Sequence, residues 1–347
     1  MERVRRRLGH RVSPGDPLSR VLTPDQVRKW AAYVETSPLY AHLSEVIASD
    51  PELMRVVNRI EHTPEPNVLF AGVQFIMSTE GGGPLETHYP NLAGADAPIE
   101  GVDGPFKRFV LDHEEELVEI GRTRYTQTNE CRRCVALLPA IWRTGVDRFH
   151  LVDLGTSAGL NLAIDKYRYR WDDVTWGGVS PVQLVTDNRG APVEPRDIEI
   201  ISRTGLDLHP VDPADEHDRR WLDALVWPEH EERRERLRAA LTLAATVDMD
   251  LVAGDAVELL GPTIDRLDGD QPVVVINSFV LNQFHPSARA RVGEILDECR
   301  ARRPVYRVSM EALIDPGDQA AALEIDIGYG LEKVGRAQPH GEWLELQ

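Results

Sequence analysis

Cysteine is scarce in this chain. Three thiols, Cys131, Cys134 and Cys299, cannot staple 347 residues into a disulfide scaffold, which fits a reducing compartment. Long apolar runs are missing too, so no segment reads as a bilayer span. The N-terminus lacks the uncharged hydrophobic stretch of a secretory signal. A cytoplasmic protein without a membrane partner is therefore expected. Basic charge is in short supply: Asp and Glu outnumber Lys and Arg 57 to 39, so a polyphosphate backbone is repelled and nucleic acid is not an expected partner. The one visible basic cluster, Arg3, Arg5, Arg6, Arg7 and Arg11, reads as a frayed, solvated tail. Cys131 and Cys134 make a C-x-x-C without a second ligand pair, so their expected role is structural and no metal site is predicted.

What is present is 42% hydrophobic residues, enough for a sizeable core, distributed in two textures. Residues 1–120 read as mainly helical. Ser37-Pro38 places a cap before a first-turn proline, Asp50-Pro51 opens another helix, and NVLFAGVQFIMS (67–78) reads as a buried helix ended by a glycine loop. FKRFVLDHEEELVEIGRTR resumes helical periodicity. From residue 149 short β-branched runs alternate with amphipathic stretches: FHLVDLG, IEIISRTGLDL, DLVAGDA, PVVVINSFV and PVYRVSM, then AALEIDIGYG and EWLEL, expected as a closing antiparallel hairpin. That is the pattern of an α/β domain with a mostly parallel sheet, over residues 121–347. No repeat or low-complexity tract interrupts it.

In HLVDLGTSAGLNLAIDKY a strand ends at Asp153, and Gly155, Thr156, Ser157 and Gly159 lead into an expected helix beginning around Asn161. Small residues there let a nucleoside ligand approach the backbone. Asp207, in GLDLHPVD, ends a second strand, where a carboxylate can accept from both ribose hydroxyls. Asp255, followed by Ala256, ends a third, in reach of an adenine amino group. Asn277 and Ser278 tip a fourth, beside the reacting end of such a ligand.

These residues resemble those of the class I methyltransferases, whose strands carry, in order, a glycine-rich turn, a ribose-binding acid, an adenine-contacting acid and a polar strand end by the active centre. The resemblance implies a Rossmann-like sheet with S-adenosylmethionine as cofactor and a C-terminal hairpin similar to the sixth and seventh strands of that fold. It also implies a helical N-terminal region acting as a substrate cap. More narrowly, TQTNECRRC, GTSAGLNLAIDKYRY, GLDLHPVD, WLDALVWPE, INSFVLNQF and PHGEWLEL resemble an uncharacterised bacterial family. The chain departs from the methyltransferase pattern in Gly155-Thr156-Ser157, which replaces a Gly-x-Gly pair. It departs again in the 54-residue interval from Asp153 to Asp207, read as an insertion near 172–198 forming an extra hairpin near the site. N-P-P-Y is absent from the fourth strand, which argues against methylation of amide or base amino groups by that arrangement.

In the resembled fold the segment before the first strand covers the methionine end of the cofactor. Arg133 is then placed to grip a carboxylate, and Asn129 or Glu130 to accept from the amino group. His88, Tyr89, His113 and His340 are candidates for general base or substrate contact, with Asn277 beside them. Glu311 reads either as a substrate acceptor or as an ordinary helix-start carboxylate, and Trp221 and Trp227 as packing residues. Methyl transfer to a small molecule leads. Three alternatives stay open: other chemistry on the same cofactor, a nicotinamide-dependent oxidoreductase, and a binding or regulatory protein.

Overall fold

A small hydroxyl side chain followed by proline starts the first helices. Thr23 accepts from the Gln26 amide while Gln26 reaches back, a capping box ahead of the helix Pro24–Ala31. Ser37 accepts from the Tyr40 amide ahead of Pro38–Ser49, with Pro38 in the first turn, as the Ser37-Pro38 pair predicts. The computed structural model describes residues 21–32, 34, 36–60, 66–312 and 320–347; Arg3, Arg5, Arg6, Arg7 and Arg11 lie outside them. Two compact units divide the chain. One is Asn129–Asp215 with Arg236–Gln347, and the other is the described part of Gly9–Thr128 with Glu216–Glu235. No helix of the described residues is long and apolar enough to cross a membrane.

The second unit is helical. NVLFAGVQFIMS folds as the helix Asn67–Glu80, and Val68 through Met77 are all buried. Phe70 stacks on Tyr40 at 4.2 Å and on Trp30 at 5.7 Å. Gln74 is the one polar side chain in that buried run, and it must find partners there. Its amide donates to the Tyr40 hydroxyl and to the carbonyls of Ala224 and Val226, and its oxygen accepts from Asn91 and Arg234. Arg234, itself only 2% exposed, completes the network on the Asp223 carboxylate at 2.7 Å. This network fastens residues 216–235 to helices that precede them by more than a hundred positions. FKRFVLDHEEELVEIGRTR, expected as continuous periodicity, is two helices, Asp103–Asp112 and Glu114–Thr123. The break is His113, whose backbone leaves helical angles and whose ring stacks on Phe109.

The first unit is a mixed α/β fold around an eleven-stranded, mostly parallel sheet. The strands are β1 (Arg148–Leu154), β2 (Arg168–Trp171), β3 (Val174–Trp176), β4 (Gln183–Asn188), β5 (Glu199–Asp207), β6 (Asp250–Ala253), β7 (Val273–Ser278), β8 (Val305–Ala312), β9 (Ala321–Asp326), β10 (Leu331–Ala337) and β11 (Trp343–Leu346). Their order is β3-β2-β4-β11-β10-β9-β8-β7-β1-β5-β6. After β1 the chain lays down β2, β3 and β4 at the far edge of the sheet, comes back beside β1 with β5 and β6, then places β7 and β8 on the other side of β1; β1, β5, β6, β7 and β8 are all parallel. In open α/β sheets ligands bind beyond the carboxyl ends of the strands at such a reversal, which makes the ends of β1 and β7 the candidate crevice. One face packs Val152, Leu154, Leu206, Val273 and Val275 against the helices Ala256–Arg266 and Pro286–Arg300. The other face carries the helix Cys134–Arg143, buried from Cys134 to Trp142, against β4, β8 and β9.

Three sequence expectations change shape here. The closing hairpin expected of AALEIDIGYG (β9) and EWLEL (β11) is a meander: β10, which was not expected, lies between them and pairs antiparallel with both, and β9 pairs antiparallel with β8. The stretch from Trp171 to Pro195, read as an extra hairpin, makes β2–β3 with Asp172 at the turn. It also supplies β4, which pairs with β2 and β11 and so extends the sheet. The helix expected after the glycine turn is a seven-residue 3-10 segment, Leu160–Lys166. The hydroxyls of Tyr167 and Tyr169 donate to the carbonyls of Leu160 and Ile164, acceptors that a continuing α-helix would use for its own amides. Replacing Gln74 by Leu keeps the volume and strands its partners. We expect Gln74→Leu to lower unfolding free energy by about 2–4 kcal/mol in urea titration. A loss below about 1 kcal/mol would show that the network carries little.

Candidate functional site

Successive residues of a strand point to opposite faces, and this alternation sorts the polar strand ends. Val273 and Val275 face the Ala256–Arg266 and Pro286–Arg300 helices, so Asn277 falls on their side and Ser278 on the other. On β1, Val152 and Leu154 take that first side, leaving Asp153 on the face of Ser278. Arg133 and Asn161 both reach the Ser278 hydroxyl, at 3.5 and 3.3 Å, and Asn161 also accepts weakly from Cys134. The Arg133 guanidinium lies 4.5 Å over the Phe279 ring and donates to the Pro339 carbonyl.

The glycine turn is held from β5. Asp207 accepts from the Ser157 amide at 2.9 Å and from the His209 amide at 2.8 Å. Asn129 brackets the same residue, donating to the Ser157 hydroxyl and accepting from the Ala158 amide. Gly155 and Thr156 donate to the Leu206 carbonyl, and Gly159 donates to the Thr156 carbonyl. Every amide from Gly155 to Gly159 is thus used within the protein. Ser157 pays for this geometry with a positive φ of 48°, and Phe279, at the end of β7, has φ 54°. Two strained residues other than glycine therefore flank the crevice. Asp255 is exposed and caps the helix Ala256–Arg266 by accepting from the Val257 amide; Ala256 begins that helix. Gly254, just before, donates to the Asp207 carbonyl, so the ends of β5 and β6 are tied together.

Several expectations need correction. The bend at Gly155 is not open: a β-carbon there would sit 2.4 Å from Val280 Cγ2, so the glycine admits Val280. At Gly159 it would meet Met249 and Leu251, side chains of the protein rather than a ligand. Asn277, expected beside the reacting group, is fully buried; its amide donates to Ser309 and Glu311 and accepts from Arg307. Glu130, expected to accept from a ligand amino group, is buried in a two-armed pair with Arg236, both contacts at 3.2 Å. His340 stands 3.8 Å from the same carboxylate. His88, Tyr89 and His113 belong to the helical unit. There His88 bonds the Pro98 carbonyl, His113 bonds the Phe109 carbonyl, and Tyr89 is fully buried, its phenol pushed well up by burial. The cysteines are free and buried, and burial raises all three thiols, in keeping with a structural role. Sequence reading missed Arg236, Phe279 and Val280. An arginine within an amphipathic helix and two apolar residues beyond a strand carry no local mark of such contacts.

Asp153 is the unusual group of the site. It is 1% exposed, with the side chains of Thr156, Asn161 and Arg133 around its carboxyl group. Burial pushes its pKa up to about 8; Thr156 and Arg133 nearby pull it down, and Asp207 adds to the rise. The folded state therefore holds this proton more tightly than the unfolded chain does. Its contribution is fully present below the ordinary value of 3.8 and is lost progressively as pH rises toward about 8. Asp153→Asn should gain stability over the parent across that window and level off above it. Melting temperatures of both proteins against pH test this, and a difference independent of pH would refute it. Gly155→Ala, which forces a β-carbon onto Val280 at φ 70°, should cost about 2–3 kcal/mol in the same assay at one pH.

No curated protein matches the chain. The model of a family described as an uncharacterized protein conserved in bacteria (DUF2332) matches residues 25–346, nearly the whole length, and the chain belongs to that family.

Proposed function

We propose that this protein binds S-adenosylmethionine at the carboxyl ends of β1, β5 and β6 and transfers its methyl group to a small molecule. The observation that carries the reading is the closed amide set of the glycine turn. A dinucleotide site presents free N–H groups and a helix N-terminus to a pyrophosphate. Here each amide from Gly155 to Gly159 already has an acceptor, and the turn runs into a short 3-10 segment. Beside it stand Asp207 and Asp255, acids that repel phosphate. A ligand with hydroxyls, an amino-bearing base and a cationic centre suits these neighbours, and an adenosyl sulfonium has all three.

In this reading each Asp207 oxygen, holding one amide, keeps a lone pair for a ribose hydroxyl. Asp255 and Ala256 flank the adenine. Asn129, Arg133, Asp153, Asn161 and Ser278 line the methionine end. The ligand lies toward Ser157 and Asp207, because Val280 already covers Gly155. The finer fold proposal is a Rossmann-like class I methyltransferase sheet. Its departures are the 3-10 segment in the first crossover and β9 lying directly beside β8. Methyl transfer from a sulfonium is an in-line displacement, so alignment and exclusion of water are the enzyme's main contributions. The saturation of Asn277, whose side chain is taken up by Ser309, Glu311 and Arg307, favours a second reading: a protein that holds the same ligand without passing on its methyl.

Calorimetry with S-adenosylmethionine should give saturable binding, weakened about tenfold or more by Asp207→Ala, and reduced nicotinamide dinucleotide should give none. Absence of binding at millimolar S-adenosylmethionine would remove the proposal. Mass spectrometry of reaction mixtures, seeking a product heavier by one methyl group, separates the two readings.

A further inference from the structure

Glu311 ends β8 with its carboxylate turned into the chain segment that follows β7. Oε1 accepts from the Asn277 amide at 2.8 Å and from the backbone amides of Val280 and Leu281 at 3.1 and 3.0 Å. Oε2 accepts from the Asn282 amide at 3.1 Å. Three consecutive backbone N–H groups converging on one anion make a nest, and here the anion belongs to the protein. Phe279, in a left-handed conformation with its amide on the Met310 carbonyl, leads into the nested segment. It carries the two side chains that border the crevice: Val280 packed on Gly155, and Phe279 beneath the Arg133 guanidinium.

We infer that Glu311 is a positioning residue for the ligand site: its carboxylate fixes the turn Phe279–Asn282, and through that turn the wall that Val280 and Phe279 raise beside the crevice. The inference rests on the ligand reading above for what the wall borders, while the hold of Glu311 on the turn stands on the hydrogen bonds alone. Glutamine cannot replace it in full. Its oxygen can serve the three donors at Oε1, but its amide nitrogen would oppose the Asn282 amide, donor against donor. The loss should thus be graded, partial in Glu311→Gln and complete in Glu311→Ala.

The test uses the full chain, with Glu298→Gln, an exposed helix position, as control. Amide exchange followed by mass spectrometry should show peptides covering 279–284 exchanging about tenfold faster in Glu311→Ala and less so in Glu311→Gln, with β1 peptides unchanged. Calorimetry should show S-adenosylmethionine binding about tenfold weaker in Glu311→Ala and partly restored in Glu311→Gln, while the control matches the parent. Unchanged exchange at 279–284 in Glu311→Ala overturns the inference. So does faster exchange with unaltered affinity, or an affinity that merely follows melting temperature in both variants. If the parent protein itself fails to bind S-adenosylmethionine, the proposed function falls, and the exchange result alone then decides whether Glu311 holds the turn.

Discussion

The bond from the Ser157 amide to the Asp207 carboxylate is the interaction on which the site depends. It lets a residue other than glycine stay in a left-handed conformation, and it joins the end of β1 to the end of β5. With Asn129 closing the next amide, the turn becomes a rigid object whose hydrogen bonds are all internal. Such a turn can be approached in shape but offers no amide to an anion. The same bonds thus tie the turn down and occupy the amides that an anion would need.

A second constraint comes from strand alternation. Ser278 and Asn277 are neighbours in sequence yet serve opposite faces of the sheet. Ser278 joins Asp153, Asn161 and Arg133 on one side. Asn277 joins Ser309, Arg307 and Glu311 on the other, where they form a buried polar chain between β7 and β8. Burial lowers the Arg307 pKa, and the nearby acids Glu311, Glu324 and Asp326 oppose that shift. The turn after β7, whose amides Glu311 accepts and which lays Val280 on Gly155, joins the two networks. Side chains on the far face of the sheet thereby shape the near one.

The helical unit shows the same economy of polar groups. Its longest buried run carries a single polar side chain, Gln74, and three of the five partners of that amide, Ala224, Val226 and Arg234, come from residues 216–235. Two of the histidines that sequence reading offered for catalysis, His88 and His113, are engaged in this unit with carbonyl groups.

By itself the sequence determined the period and the punctuation. Alternating apolar runs gave the strands from FHLVDLG to PVYRVSM, serine and proline gave the helix starts, and the glycine turn with Asp207 and Asp255 at later strand ends gave the polar positions of the site. All of these are set by a residue and its near neighbours. Only the tertiary structure decided how those positions are used. It made the chain after Gly159 a 3-10 segment, two of whose carbonyls accept from tyrosine hydroxyls, and it paired Glu130 with Arg236 from a distant helix. It set Val280 where open space above Gly155 was expected, and it buried Asp153 away from water. The physical reason is common to all four: burial, hydrogen-bond partners and close contact come from residues far apart in the chain, and no local pattern records which distant group will arrive.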